Sequence, residues 1–168
     1  MIVSIIYIII SFILENIMSN IFVTTLNNVS PFTTIYTIIA LVVIYPYFAS
    51  DKKYFLLVII FGFLFDTIYT STILLNLTIF LVISLLIKTL NNIISDNIIM
   101  TNIISLISVA TYHILTFIIL NIVTSKSYSI ILLGKILTHS IIMTIIYTSI
   151  SYIIIKYLYS RLSIKQIK

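Results

Sequence analysis

Seven successive apolar residues occupy positions 55–61 with the sequence FLLVIIF. Only α-helices and closed β-barrels satisfy the backbone inside a lipid bilayer, and a barrel strand alternates apolar with polar side chains. The segments 55–61 and 5–10 (IIYIII) instead carry an apolar side chain at every position. They therefore predict helices surrounded by lipid and protein, and an all-α fold.

The composition extends this prediction to the whole chain. Of the 168 residues, 61% are hydrophobic and 8% are charged, and the mean hydropathy is +1.29. These charges are too few to cover a soluble domain. At about 20 residues per span, the chain holds about six spans in one transmembrane domain. We place the spans near residues 2–23, 31–48, 54–70, 73–90, 98–123 and 128–157.

The basic residues predict the orientation of the spans. If both termini lie in the cytoplasm, the inner side carries seven basic residues and the outer side only Lys126, which is the distribution that membrane insertion favours. The seven inner residues are Lys52, Lys53, Lys88, Lys156, Arg161, Lys165 and Lys168. We also expect residues 158–168 to form a basic cytoplasmic tail and Pro31 to start the second helix.

The residue usage is strongly biased. Ile and Asn are abundant, whereas the chain has two Gly, two Pro, and no Cys or Trp. This bias follows AT-rich codons and suggests a bacterial genome. Because Gly and Ala are scarce, we expect Ser and Thr to occupy the close helix contacts. With no Cys, the chain has no disulfide and no thiolate metal site.

Five ionisable residues fall inside the predicted spans, where a charge is costly and is a functional candidate by default. They are Glu15, Asp66, His113, Lys135 and His139. Their positions place all five in the middle or outer half of the bilayer. We expect them to form one polar cluster in which Lys135 pairs with Asp66 or Glu15.

Three roles remain open for this cluster. It can lock the helices together, line a cavity that binds a lipid or solute, or form a path for protons or ions. The spacing of the two histidines matches no zinc site, and we predict no metal and no cofactor. We find no hydrolase, phosphate-loop, dinucleotide or redox motif, so the chain is predicted not to be an enzyme. The basic residues lie at span ends and do not indicate nucleic-acid binding.

The most distinctive local pattern is the predicted hairpin of residues 54–90. Gly62 and Asp66 share one helix face, where Gly permits close approach of a neighbouring helix. A tight uncharged turn follows, and Asn76 opens the next helix near the same depth. We expect Asn76 to join the network around Asp66, either as a structural lock or as part of a surface that binds a partner.

This hairpin resembles the rod shape-determining protein MreD family. Its members carry a Gly-Leu-Leu-x-Asp-like segment, a short turn and a Leu-Gly-Leu-Asn-like segment. Here GFLFD at 62–66 matches the first segment, and LLN at 74–76 matches the second, with Leu75 placed where Gly is common. The motif covers about 30 residues, while length and predicted topology agree throughout.

The resemblance implies a non-enzymatic scaffold in the bacterial cytoplasmic membrane that serves lateral cell-wall growth. Its implied partners are an MreC-like protein, MreB-like actin, RodA and a class B penicillin-binding protein, together with membrane lipid. On this reading Gly62, Asp66 and Asn76 are structural or contact a partner.

A second prediction is the solute-capturing subunit of an energy-coupling-factor transporter. Such subunits are also small six-helix bundles that bind their ligand in the outer half. Their first helix typically carries an Ala-x-x-x-Ala motif, and residues 2–23 here contain neither Ala nor Gly.

Overall fold

The computed structural model describes residues 2–21, 34–48, 50–70, 74–93, 97–123 and 128–161. Within these ranges the prediction of an all-α bundle is confirmed. A 3-10 turn at Tyr45–Tyr47 follows the second helix, and a π-helical turn at Asp66–Thr70 follows the third. The six α-helices are α1 (Ile2–Ile21), α2 (Tyr36–Ile44), α3 (Asp51–Phe65), α4 (Leu75–Ile93), α5 (Ile98–Val123) and α6 (Ile130–Arg161).

Five helical stretches are long and apolar enough to cross a membrane, which makes the chain a multi-pass membrane protein. The exception is α2, which reaches only 12 residues with its 3-10 turn, Tyr36–Tyr47. At about 1.5 Å per residue it is roughly 18 Å long, well below the roughly 30 Å of a bilayer core. The second predicted span is therefore shorter than expected, and residue 31, the predicted helix start, lies outside the described ranges.

The short helix α2 forms the centre of the bundle. All nine of its residues, Tyr36–Ile44, are buried. It packs against α1, α5 and α6, and makes a smaller contact with α4. A helix that is apolar on all sides is stable where protein surrounds it completely. The other helices form a layer around α2 and direct many large apolar side chains outward, as a lipid-facing surface requires.

Small hydroxyl residues occupy the helix interfaces, as the scarcity of Gly and Ala predicts. On α6 the buried positions 140, 144, 148 and 151 are Ser, Thr, Thr and Ser, spaced three or four apart. On α5 the buried hydroxyl residues are Thr101, Ser105 and Ser108. Spacing of three to four residues places side chains on one helix face, so each helix presents a narrow small-residue stripe to its neighbours.

Contacts between helix ends give the direction of each helix. Ser4 near the start of α1 is hydrogen-bonded to Tyr159 near the end of α6. Tyr159 also stacks on Tyr47, with 4.2 Å between ring centroids. Asp51 at the start of α3 pairs with Lys88 near the end of α4 at 2.7 Å. These residues define one end of the bundle, which we call the lysine-rich end; the first and last helices both reach it.

The opposite end is where α3 turns into α4, and we call it the hairpin end. α3 begins at Asp51, three residues before the predicted span, because an acidic side chain in the first turn is favourable at a helix N-terminus. α6 extends to Arg161, beyond the predicted span. Its 32 residues are about 48 Å long by the same rise, so at least one of its ends projects beyond the hydrocarbon core.

The side of the membrane that the lysine-rich end faces stays a prediction, and reporter fusions test it. A reporter that is active only outside the cytoplasm should be active when inserted within 124–127 and inactive when fused after Arg161. Basic residues favour the cytoplasmic side. Activity after Arg161 would contradict the predicted orientation, while activity at both sites would contradict the arrangement of α6.

Candidate functional site

The structure does not bring the five predicted ionisable residues together. Glu15 and Asp66 are buried, with 7% and 1% of their surfaces exposed. His113 is half-buried between α5 and α6. Lys135 and His139 lie exposed on α6. In the described part of the chain, neither acid forms an ion pair with Lys135, so the predicted pairing is wrong.

The helical repeat explains where Lys135 lies. The stripe that α6 buries contains Ser140 and Thr144, and at about 100° per residue Lys135 points away from that stripe. Lys135 is also 21 positions before Lys156, which is roughly 32 Å along the helix and close to the thickness of the hydrocarbon core. Lysine side chains extend toward water at both faces of a membrane, and this spacing fits one lysine near each face.

His139 lies one turn from Lys135 on the same exposed part of α6. Its Nδ1 is 2.8 Å from the Lys135 carbonyl oxygen, a bond to its own helix. The predicted cluster of five therefore divides into two buried acids, one histidine in an interhelical groove and two exposed bases. The buried acids carry the geometry of the site.

Asp66 binds the first turn of α4. Its Oδ1 accepts hydrogen bonds from the backbone N–H of Asn76 at 2.9 Å and from Asn76 Nδ2 at 3.0 Å. Its Oδ2 accepts from the backbone N–H of Leu77 at 3.0 Å. The first N–H groups of a helix have no partner within the helix, and Leu74, which precedes α4, has no side-chain acceptor. Asp66 supplies the missing acceptors.

The negative charge of a carboxylate also suits this position, because a helix N-terminus carries a partial positive charge. The first N–H groups of α4 depend strongly on this acceptor. Lys88 lies 13 positions after the start of α4, so the helix begins roughly 20 Å from the lysine-rich end, at a depth where water does not satisfy the backbone. Asp66 is therefore both a cap and a counter-charge for α4.

Gly62 lies one turn before Asp66 and permits the close packing of α3 on α4. A Cβ atom added to Gly62 would lie 2.9 Å from the Leu77 Cα, which is closer than side chains approach a backbone. Leu77 is also the residue whose N–H binds Asp66. Gly62 thus sets the distance between the helices that lets the carboxylate reach the start of α4.

Asn76 extends this network across three elements. Its Nδ2 donates to Thr70 Oγ1 at 3.0 Å, in the π-helical turn. Its Oδ1 accepts from the Tyr112 hydroxyl of α5 at 2.9 Å. The sequence analysis identified Gly62, Asp66 and Asn76 but missed Thr70 and Tyr112. Thr70 is signalled by its place in the polar turn, whereas nothing in the apolar sequence around Tyr112 points to Asn76.

The residue before α4 has the left-handed conformation that favours glycine. Leu74 has φ +62°, which costs roughly 1–2 kcal/mol for a residue with a Cβ. Leu75, where the resemblance led us to expect a position that favours Gly, is instead the first residue of α4, and the positive φ lies one residue earlier.

Glu15 caps the start of α2 in the same way. Its Oε2 accepts from the backbone N–H of Thr37 at 3.1 Å and from Thr37 Oγ1 at 3.3 Å. Ile35, which precedes α2, makes no side-chain cap. Each of the two helices α2 and α4 therefore begins against a carboxylate that the preceding helix supplies. This recurrence was not visible in the sequence.

Aromatic side chains connect the surroundings of Glu15 with those of Asp66. Tyr112 lies within electrostatic range of both Glu15 and Asp66. The Tyr69 hydroxyl, in the π-helical turn, donates to the Phe12 carbonyl of α1 at 2.6 Å. Phe12 and Tyr69 also make an edge-to-face ring contact, with 4.9 Å between centroids. The turn at the end of α3 is thereby joined to α1 as well as to α4 and α5.

A metal site is not formed by the described residues, where no three His, Cys, Asp or Glu side chains lie close enough to share an ion. Comparison of the chain with protein-family models, with curated proteins and with solved structures found no match.

The two glycines test the role of close packing. Gly62→Ala should lower the free energy of unfolding by about 1–3 kcal/mol, because the new methyl group is forced against the α4 backbone. Gly134→Ala is the matched control, since nothing lies within 4 Å of a Cβ at that position. Unfolding in mixed micelles by SDS titration measures both. Equal effects would contradict the close approach.

A second pair of variants compares the buried Asp66 with the exposed Lys135. Asp66→Asn should destabilise the protein by about 1–3 kcal/mol, because an amide presents only one acceptor oxygen to several donors. Lys135→Met should leave stability unchanged, since it removes an exposed side chain. The same SDS titration serves as the measurement. A loss of stability in Lys135→Met would support the prediction that Lys135 pairs with a buried acid.

Leu74→Gly should stabilise the protein by about 1 kcal/mol, because glycine adopts positive φ without strain. Leu75→Gly is the control, and it should destabilise by weakening the first turn of α4 and its packing. Thermal unfolding of both variants in detergent measures the difference. A destabilising Leu74→Gly would show that this side chain contributes more than its backbone strain costs.

Proposed function

We propose that this chain is a non-enzymatic membrane subunit of the bacterial cell-elongation complex, located in the cytoplasmic membrane. In this role it scaffolds an MreC-like protein and the peptidoglycan synthases that extend the lateral wall. The proposal originates in the resemblance of residues 62–76 to the MreD family, and it concerns activity, partners and location together.

The observation that supports it most is the geometry of the hairpin. The resemblance depends on Gly62, Asp66 and Asn76, which act together at the start of α4. Gly62 permits the close packing of α3 on α4, Asp66 caps α4, and Asn76 links α4 to α5. Aligning the Asn of the similar segment with Asn76 places its Gly at Leu74, whose left-handed backbone favours glycine, and this adds a fourth agreement. Sequence similarity by chance does not require these positions to meet.

The packing of the bundle also fits a scaffold better than a solute-capturing subunit. The centre is filled by α2, whose nine residues are all buried, and the two carboxylates are engaged with helix starts. A bundle whose centre is filled by side chains suits a scaffold better than a subunit that must enclose a solute. The transporter subunit stays the second prediction.

Depletion of the protein in its own host, with cell shape and co-purification as readouts, tests the proposal. We expect rod-shaped cells to widen, because wall synthesis would lose its lateral organisation, and a tagged chain to co-purify with an MreC-like protein. Asp66→Asn should fail to restore shape, while the control Lys135→Met should restore it.

Two outcomes would contradict this function. Unchanged cell shape after complete depletion would remove the role in elongation. Co-purification with an ATP-hydrolysing transport module and a bound small solute would instead identify the transporter subunit. The level of each variant in the membrane must be measured, so that loss of function is separated from loss of protein.

A further inference from the structure

A groove runs along the surface of the bundle between α5 and α6. It consists of two cavities that follow one another along the helices. The lower cavity, nearer the lysine-rich end, has a volume of about 310 Å³ and is lined by apolar residues such as Leu106, Ala110 and Ile141. The upper cavity has a volume of about 270 Å³ and includes His113 and Tyr128.

The register of the two helices fixes the depth of His113. Asn102 of α5 is hydrogen-bonded to Ser149 of α6 at 3.0 Å. Nearer the hairpin end, Asn121 Oδ1 accepts from the backbone N–H of Tyr128 at 2.7 Å. Interpolation between these two contacts places His113 level with residue 137, less than one turn deeper than Lys135.

Taking Lys135 and Lys156 as the limits of the hydrocarbon core, we infer that His113 lies just inside its boundary at the hairpin end. The lower cavity, which begins near Ala110, therefore lies within the hydrocarbon. The upper cavity lies where the polar parts of lipids are found, and Tyr128 is suited to that boundary because its ring is apolar and its hydroxyl is polar. Both cavities are lined mainly by apolar side chains; the upper cavity adds the polar groups of His113, Thr116 and Tyr128, and the lower cavity those of Ser140 and Thr144.

His113 provides the second, independent observation. Its Nε2 is buried and has no hydrogen-bond partner in the structure, although a buried polar atom without a partner costs about 1–3 kcal/mol. His113 lines the upper cavity; its Nε2 is covered in the structure, so contact with a molecule in the groove requires the imidazole ring to turn toward the cavity. The ester carbonyl of a glycerolipid lies at the required depth and accepts a hydrogen bond from a protonated Nε2.

We propose that the α5–α6 groove binds a glycerolipid of the surrounding bilayer, with one acyl chain in the lower cavity and an ester carbonyl at His113. This inference does not depend on the role in cell elongation. A transmembrane helix is about 10–12 Å in diameter with its side chains, too wide to enter cavities of this volume, whereas a single hydrocarbon chain fits. The groove also opens sideways to the bilayer, which supplies the lipid directly.

Photo-crosslinking tests the proposal with the full chain in phosphatidylethanolamine and phosphatidylglycerol vesicles. The probe is a phosphatidylglycerol that carries a diazirine in one acyl chain. Mass spectrometry should locate the label near Ala110 and Leu137, in excess over the outward face of α6. Ala110→Phe should reduce labelling of α5 and α6 about tenfold, a change that corresponds to about 1.4 kcal/mol in binding.

Ile142→Phe is the matched control, because Ile142 is 65% exposed and does not line the groove. It should leave the labelling unchanged. His113→Leu should lower labelling by the ester probe but not by a diazirine alkane, which has no carbonyl. If Ala110→Phe does not fold, His113→Leu tests whether the lipid binds in the groove.

Three results would overturn the proposal. Labelling of α5 and α6 that equals labelling of other lipid-facing helices would show ordinary contact with the bilayer. Unchanged labelling in both Ala110→Phe and His113→Leu would place the lipid elsewhere. Protection of the groove by a co-purifying membrane protein would assign it to a partner instead.

Discussion

The structure depends on satisfying backbone N–H groups at helix starts that lie inside the membrane. Water is absent there, and an unpaired N–H costs several kcal/mol. The chain meets this requirement for α2 and α4 with carboxylates from α1 and the end of α3. Glu15 and Asp66 therefore need no basic partner. Their carboxyl oxygens accept hydrogen bonds from the N–H groups at helix starts, and Lys135 lies on the surface.

The same constraint connects local sequence to overall packing. Asp66 reaches the α4 backbone only because Gly62 has no side chain, and Asn76 links that first turn to Tyr112 of α5. A local hairpin thus sets the position of three helices. The rows of Ser and Thr on α5 and α6 then allow close contact without the Gly and Ala that such interfaces usually contain.

The sequence predicts the helices of this protein better than the contacts between helices. Long apolar runs identify helices because lipid leaves the backbone few alternatives. Gly62, Asp66 and Asn76 were recognisable because they lie within 15 residues and their contacts are local. Glu15 and Thr37 are 22 residues apart, and no periodicity indicates their bond.

The position of Lys135 differs from the prediction for another reason. Counting residues along a span gives the depth of a side chain, but its direction depends on which face of α6 carries the small hydroxyl residues. Two signals were available in the sequence: the stripe that begins at Ser140, and the interval from Lys135 to Lys156. The groove at His113, in contrast, depends on how α5 and α6 pack against each other, and no pattern in one sequence specifies that.

The central position of α2 has a consequence for how the protein is made. A ribosome delivers this helix before α5 and α6, two of the helices that enclose it. Until they follow, one flank of α2 remains uncovered, and it is too short to settle across the bilayer alone. Insertion must therefore proceed through a nascent intermediate whose core is open until α5 and α6 enclose α2.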